Sequence, residues 1–248
     1  MRVVEFLGPP GSGKTSLARE LTRSLPGAID LEEAVRAAVK ARGEDGMART
    51  AAGLSRSSSS RLWRAVYARS TDRFSGLARF LEANPRALET VLASQRTRAE
   101  RDRGQDLVLG WMLNLMARYQ LAVEWGQRDW LVLDEGFCQR GVALFAHGFA
   151  PEDLPLLTAY LTSIPQPDLV VTVNAPFEIC EDRLNQRGWS ERVLALPAAE
   201  RNAFLADAVT VNEAISNHLQ AAALRLIPVD GSAPIPDSLL TVAATLRE

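Results

Sequence analysis

Short apolar runs alternate along this chain with longer stripes that repeat every three to four residues. Val3, Val4, Phe6 and Leu7 form the first run; it is too short for a helix and is cut off by glycine and proline, so it reads as a buried strand. Leu17, Ala18, Leu21 and Leu25 recur at helical spacing, and Pro26-Gly27 stops that helix. Ala28-Ile29-Asp30 is a weak second strand. From Leu31 to Trp125 the pattern is mostly helical, with breaks at Gly43–Gly46, in the serine run 55–60 (predicted loop) and at Asn84-Pro85. Leu109, Met112, Leu113, Met116, Tyr119 and Val123 are the clearest stripe there. Trp130–Leu133, Leu169–Val173 and Leu224–Val229 are three further strands, the first closed by Asp134-Glu135-Gly136 and the last by Asp230-Gly231. Helices are predicted over 176–187, about 198–223 and at the C-terminus. Five strands alternating with helices predict a parallel α/β sheet.

The length, 248 residues, suits one large domain or one domain with an insertion. A chain 47% hydrophobic and 23% charged is not mainly disordered, and no apolar run approaches the roughly 18 residues of a membrane span. The first apolar stretch ends too soon for a secretory signal. Cys138 and Cys180 make neither a metal nor a redox spacing, so the expectation is a reduced, cytoplasmic protein with Cys180 in the core. The net charge of −2 hides an asymmetry: residues 36–103 hold 15 Arg/Lys against 7 Asp/Glu, a balance of +8, which leaves −10 elsewhere. That stretch either carries solvated helix faces or meets an anion.

Gly8-Pro9-Pro10-Gly11-Ser12-Gly13-Lys14-Thr15 matches G-x-x-x-x-G-K-[ST] in full, and it lies between a strand and a helix. Glycines let consecutive backbone N–H groups turn inward onto phosphate oxygens. The following helix adds its positive end. Lys14, one of only two lysines, would meet the β- and γ-phosphates; Thr15 would ligate Mg²⁺, and Ser16 extends the cradle. The motif therefore predicts binding of a nucleoside triphosphate such as ATP.

Asp134 ends an apolar strand, where a second magnesium-side carboxylate belongs, and Glu135 beside it is a candidate general base or acceptor-orienting group. Arg140, on the next helix, is either an exposed arginine or one within reach of a transferring phosphoryl group. Arg183 and Arg187 are four apart on the helix after the fourth strand; such a pair repels mildly unless an anion lies between. Asp30 is either a catalytic base or the N-cap of Asp30-Leu31-Glu32-Glu33, a capping-box pattern. Trp63, Tyr67, Phe74 and Phe80 read most simply as insertion core, and His147 and His218 receive no role.

The P-loop, the LVLDEG strand end and the RLNQRGWSER segment, in that order, resemble the P-loop kinases of the nucleoside and nucleotide kinase group, thymidylate kinase-like proteins above all. The resemblance covers the core strands and the last segment, and not residues 31–125. It implies a three-layer P-loop NTPase fold with a five-stranded parallel sheet, in a single 1–248 domain. It further implies a helical acceptor-binding insertion at 31–125 and an arginine-bearing lid at about 183–198, with Arg183, Arg187 and Arg192 closing over Mg·ATP. Where such kinases carry Asp-Arg or Glu-Arg after the third strand, this chain has Asp134-Glu135-Gly136. The expected activity is a small-molecule kinase whose acceptor, nucleoside-like or sugar-like, is bound by the basic 36–103 stretch. The competing reading is a P-loop ATPase that couples hydrolysis to a partner, with Glu135 activating water. A homodimer is allowed; membrane and nucleic-acid partners are not expected.

Overall fold

The computed structural model describes residues 1–55, 60–98 and 105–246; most of the serine run lies outside these. The chain proceeds through β1 (Arg2–Leu7), α1 (Lys14–Ser24), β2 (Ala28–Asp30), α2 (Leu31–Arg42), α3 (Gly46–Leu54), α4 (Arg61–Tyr67), α5 (Thr71–Ala83), α6 (Pro85–Arg98) and α7 (Gln105–Trp125). It continues through β3 (Trp130–Leu133), α8 (Phe137–Phe145), α9 (Leu154–Ser163), β4 (Leu169–Asn174), α10 (Phe177–Arg187), α11 (Glu191–Leu194), α12 (Ala198–Ala221), β5 (Leu226–Asp230) and α13 (Ile235–Leu246). All five predicted strands form, within a residue or two of their expected ends.

They make one parallel sheet in the order β2-β3-β1-β4-β5. The chain passes from β1 to β2 and β3 on one side and then crosses to β4 and β5 on the other, so a crevice opens at the carboxyl end of that central strand. The period of two along each strand sorts its faces. Val4, Phe6, Val132 and Val171 pack against Leu17 and Leu21 of α1 and Val242 of α13. On the other face, Val3 and Leu131 meet Val35, Ala48 and Trp63 of α2–α4. Leu7 and Val170 join Met112, Phe137, Tyr160 and Ile215 from α7, α8, α9 and α12. The result is three layers, with the heavier helical layer on the second face.

The described residues of 31–125 contribute six helices, several of them started by local caps. Asp30 accepts the Glu33 N–H at 2.8 Å, Asp45 accepts from Met47 and Ala48, and Ser70 from Arg73; each satisfies an N–H that the first turn leaves open. Only half of the expected capping box at α2 forms, because the Glu33 carboxylate turns outward to pair with Arg36. α7 is no appendage: Met112 and Met116 are fully buried in the main core. Trp63, Tyr67 and Phe80 are buried as expected, but Phe74 is 62% exposed. The buried positions of α5 are Asp72, Gly76 and Phe80, a four-residue repeat that puts position 74 on the opposite side of the helix.

The basic stretch is partly neutralised by acids that lie outside it in sequence. Arg98 is wholly buried, paired with Asp153 at 2.5 Å and donating to the Phe145 and His147 carbonyls. Arg36 pairs with Glu33 and Arg79 with Glu124. Both cysteines are free and buried. Among the described residues no helix is long and apolar enough to cross a membrane.

Candidate functional site

The loop from Gly8 to Thr15 joins the end of β1 to the start of α1, and its backbone conformation explains its residues. Gly11 and Gly13 have φ of 86° and 102°, a region that L side chains rarely adopt. A Cβ on Gly11 would also stand 2.5 Å from the Cys180 carbonyl oxygen, so the loop lies flush on α10. The turn closes through Ser12 N–H to the Pro9 carbonyl and Ser16 N–H to the Gly13 carbonyl. Lys14 Nζ donates to the carbonyls of Gly8 and Pro9 at 2.7 and 2.9 Å. Burial lowers the Lys14 pKa to about 8, against the pull of Glu135 and Asp134.

Two cavities border this loop, and a third adjoins the first. The first, about 370 Å³, is lined by Pro10, Lys14, Thr15 and Ser16 on one side and by Glu135, Arg187 and Arg192 on others. The second, about 360 Å³, lies between Gly11–Gly13, Arg183, Arg187 and the Asp230-Gly231 turn after β5. The third, about 580 Å³, opens toward β2 and α7 and is lined by Asp30, Glu32, Asn114, Arg118 and Asp134. Trp111, Glu135 and Arg140 line both the first and the third.

Those three residues form the seam. Arg140 Nη2 bonds Glu135 Oε2 at 2.6 Å, and its guanidinium lies 5.2 Å from the Trp111 ring centroid, a cation–π arrangement. Its Nε is buried without a hydrogen-bond partner. Asp134 is half-buried, and burial raises its carboxyl pKa, reinforced by the Glu135 charge and opposed by Arg140 and Arg19. A hydroxyl at Thr15 and a half-buried carboxylate at Asp134 are hard oxygen donors of the kind Mg²⁺ takes, usually one or two protein ligands beside substrate phosphates. No group of three or more His, Cys, Asp or Glu among the described residues forms a metal site on its own.

The three arginines expected to act together as a lid go to different places. Arg183 Nη1 donates to the carbonyls of Gly11, Ser12 and Gly231, at 2.9 Å for the last, so it braces the loop from the second cavity and does not line the first. Arg187 lines both. Arg192 is 9% exposed and donates to the Ala143 carbonyl of α8; burial lowers its pKa to about 10. The segment expected as a flap is here the short helix α11, whose Val193 is buried. Asp30 stands at the rim of the third cavity, its Oδ1 engaged as the α2 cap.

None of the three cavities is lined by a described residue of 36–103. The helical side of the third is supplied by Leu31, Glu32, Trp111, Asn114, Leu115 and Arg118 instead. Sequence reasoning missed these residues, and it missed Glu5, which is buried beneath the site, and Gln139, which lines the first cavity; a lone acid inside a strand run was the available signal for the former.

No family model matches this chain, and no curated protein matches it by sequence. Among solved structures, a deoxyadenosine kinase from M. mycoides with bound dATP aligns over 100% of both chains, at 13% identity and a TM-score of 0.52. Structures of the same enzyme with dCMP and dCDP, and with dCTP, align over 99% of this chain and 98% of theirs, at 11% identity and TM-scores of 0.44 and 0.45. The fold is that of a P-loop nucleoside kinase. Within that fold, the phosphate loop, the Asp134-Glu135 turn and the α10 arginines all lie at the carboxyl ends of the parallel strands or just beyond them.

Proposed function

We propose that this protein is an ATP-dependent small-molecule kinase that transfers the γ-phosphoryl group of Mg·ATP to a hydroxyl of a small polar acceptor, nucleoside-like or sugar-like. The observation that carries this reading is the seam at Glu135 and Arg140: the first cavity, lined by the glycine-rich loop and Lys14, and the larger third cavity share one wall. A hydrolase needs room only for water beside the γ-phosphate, whereas about 580 Å³ is the size of a small-ligand pocket.

In this reading the triphosphate lies along the Gly11–Gly13 backbone, with its base toward the second cavity. Lys14, released from the Gly8 and Pro9 carbonyls, meets the β- and γ-phosphates. Thr15 and Asp134 would hold Mg²⁺, which would supply neutralisation of phosphate charge. Arg187 faces the phosphates, and Arg183 holds the loop in shape. Arg140 places a cation where phosphoryl charge spreads toward the acceptor, from α8 and not from the position after the strand-end acid. Phosphoryl transfer asks for positioning and fixed charge more than covalent chemistry, and these groups provide both. Glu135 is the favoured base, because it faces both cavities while Asp30 faces one and is engaged as a cap. The acceptor is held by α7 and the start of α2, and not by the basic 36–103 stretch.

ADP release from Mg·ATP with pooled nucleosides, nucleoside monophosphates, sugars and amino sugars tests the reading. One pool is expected to raise the rate well above the acceptor-free level. A steady rate indifferent to every pool would favour the ATPase reading.

A further inference from the structure

β1 carries an acid where a buried strand has no need of one. Glu5 is 1% exposed, sits opposite Leu133 of β3 and joins none of the ion pairs among the described residues. Its carboxylate lies under the N-terminus of α8. Oε1 accepts the Gln139 N–H at 2.8 Å, and the nearby Phe137 and Cys138 amides and Cys138 thiol favour its ionised form. These amides belong to the first turn of the helix, which has no partners of its own and carries the positive end of the dipole. Gly136 is glycine for the same reason: a Cβ there would stand 2.4 Å from Glu5 Cδ. Gln139 then reaches back, and its Oε1 accepts the N–H of Gly8, the first residue of the phosphate loop, at 3.0 Å.

We propose that Glu5 and Gln139 are positioning residues: Glu5 seats the N-terminus of α8, and Gln139 ties that helix to Gly8. The turn bearing Asp134 and Glu135 and the helix bearing Arg140 are thereby held in fixed register with Lys14. This rests on the phosphoryl-transfer reading only for its effect on rate; the link itself is a structural claim. Register matters because a displacement of about 1 Å between reacting groups costs up to roughly 10²-fold in rate.

The link has a pH signature. Burial pushes the Glu5 carboxyl up to about 7, against the α8 amides that favour its ionised form. The titratable groups facing it are Cys138 on α8, Tyr119 on α7 and Tyr160 on α9, all pushed up by burial and neutral in this range. Only the ionised carboxylate is an acceptor at both oxygens, so the seat loosens as pH falls through about 7.

The test uses the full chain. Gln139→Ala is expected to lower kcat about tenfold with little change in KM for ATP or in Tm, and Gln139→Glu, which keeps an acceptor for the Gly8 N–H, to restore most of it. Glu5→Gln is expected to lower kcat by about 10²-fold and to remove an acid limb near neutral pH from the kcat profile. Amide hydrogen exchange reads the link without turnover: Gly8 should exchange about tenfold faster in Gln139→Ala, and Gly8 and Gln139 both faster in Glu5→Gln. Unchanged kcat and unchanged exchange overturn the proposal. A kcat loss that merely follows Tm, with the acid limb intact in Glu5→Gln, also overturns it, because that is a packing defect. If the wild-type chain transfers phosphoryl to no acceptor while the exchange behaves as expected, the kinase reading falls and the link stands.

Discussion

The two sides of the cleft are built in opposite ways. On the proposed phosphate side, eight consecutive residues act through their backbone, and their types follow from the positive φ of Gly11 and Gly13 and from a close approach at Gly11 that only glycine allows. On the proposed acceptor side, Asp30, Glu32, Trp111, Asn114, Arg118 and Glu135 converge from β2, α2, α7 and the turn after β3. In the proposed reading, phosphate recognition is local in sequence because it would use main-chain geometry. Acceptor recognition is dispersed because it would use side chains that only the completed fold brings together.

This contrast orders the expected effects of mutation. The largest loss is expected on the phosphate side: Lys14→Ala should reduce turnover by about 10³-fold with the far-ultraviolet CD spectrum unchanged, and survival of turnover would refute the loop's role. At the seam, Glu135→Gln should lower kcat by about 10²-fold while KM for ATP stays level. Asp30→Asn, which retains the α2 cap, should leave kcat within about twofold. A reversed ranking would move the base to Asp30. The two α10 arginines should separate. Arg187→Ala is expected to lower kcat about tenfold. Arg183→Ala should act mainly through KM for ATP, because its hydrogen bonds go to loop carbonyls and not into the first cavity. Equal effects on kcat would restore the view of a single lid unit. The smallest effect is a pH dependence. Burial places the Lys14 pKa at about 8, and its protonated form binds triphosphate. ATP affinity should therefore be level below that pH and decline above it, by up to about tenfold per unit.

Much of the fold was legible for the same reason that the loop was. Short apolar strands such as Trp130–Leu133 and stripes such as that of α7 are periodic features, and the three central strands β1, β3 and β4 alternate between two buried faces. Phe74 was not legible, because an aromatic at near-helical spacing does not say which face of α5 the core will take. Charge counting failed at Arg98, whose guanidinium is buried against Asp153, a residue 55 positions away. The capping role of Asp30 was written in Asp30-Leu31-Glu32-Glu33. The pairing of Arg140 with Glu135 was not, since five residues of turn and helix had to be built before their distance was known. Arg183 and Arg187 look equivalent in sequence and differ in the structure, because the Gly231 carbonyl that captures Arg183 comes from a distant strand end.

The central claim is that the phosphoryl group crosses the Glu135–Arg140 seam into an acceptor. Phosphorus NMR of Mg·ATP incubated with the protein, with and without the acceptor pools, follows that group directly. The account predicts a new phosphomonoester resonance that grows with one pool at the rate at which ADP appears. Growth of inorganic phosphate alone, at a rate no pool alters, would contradict it.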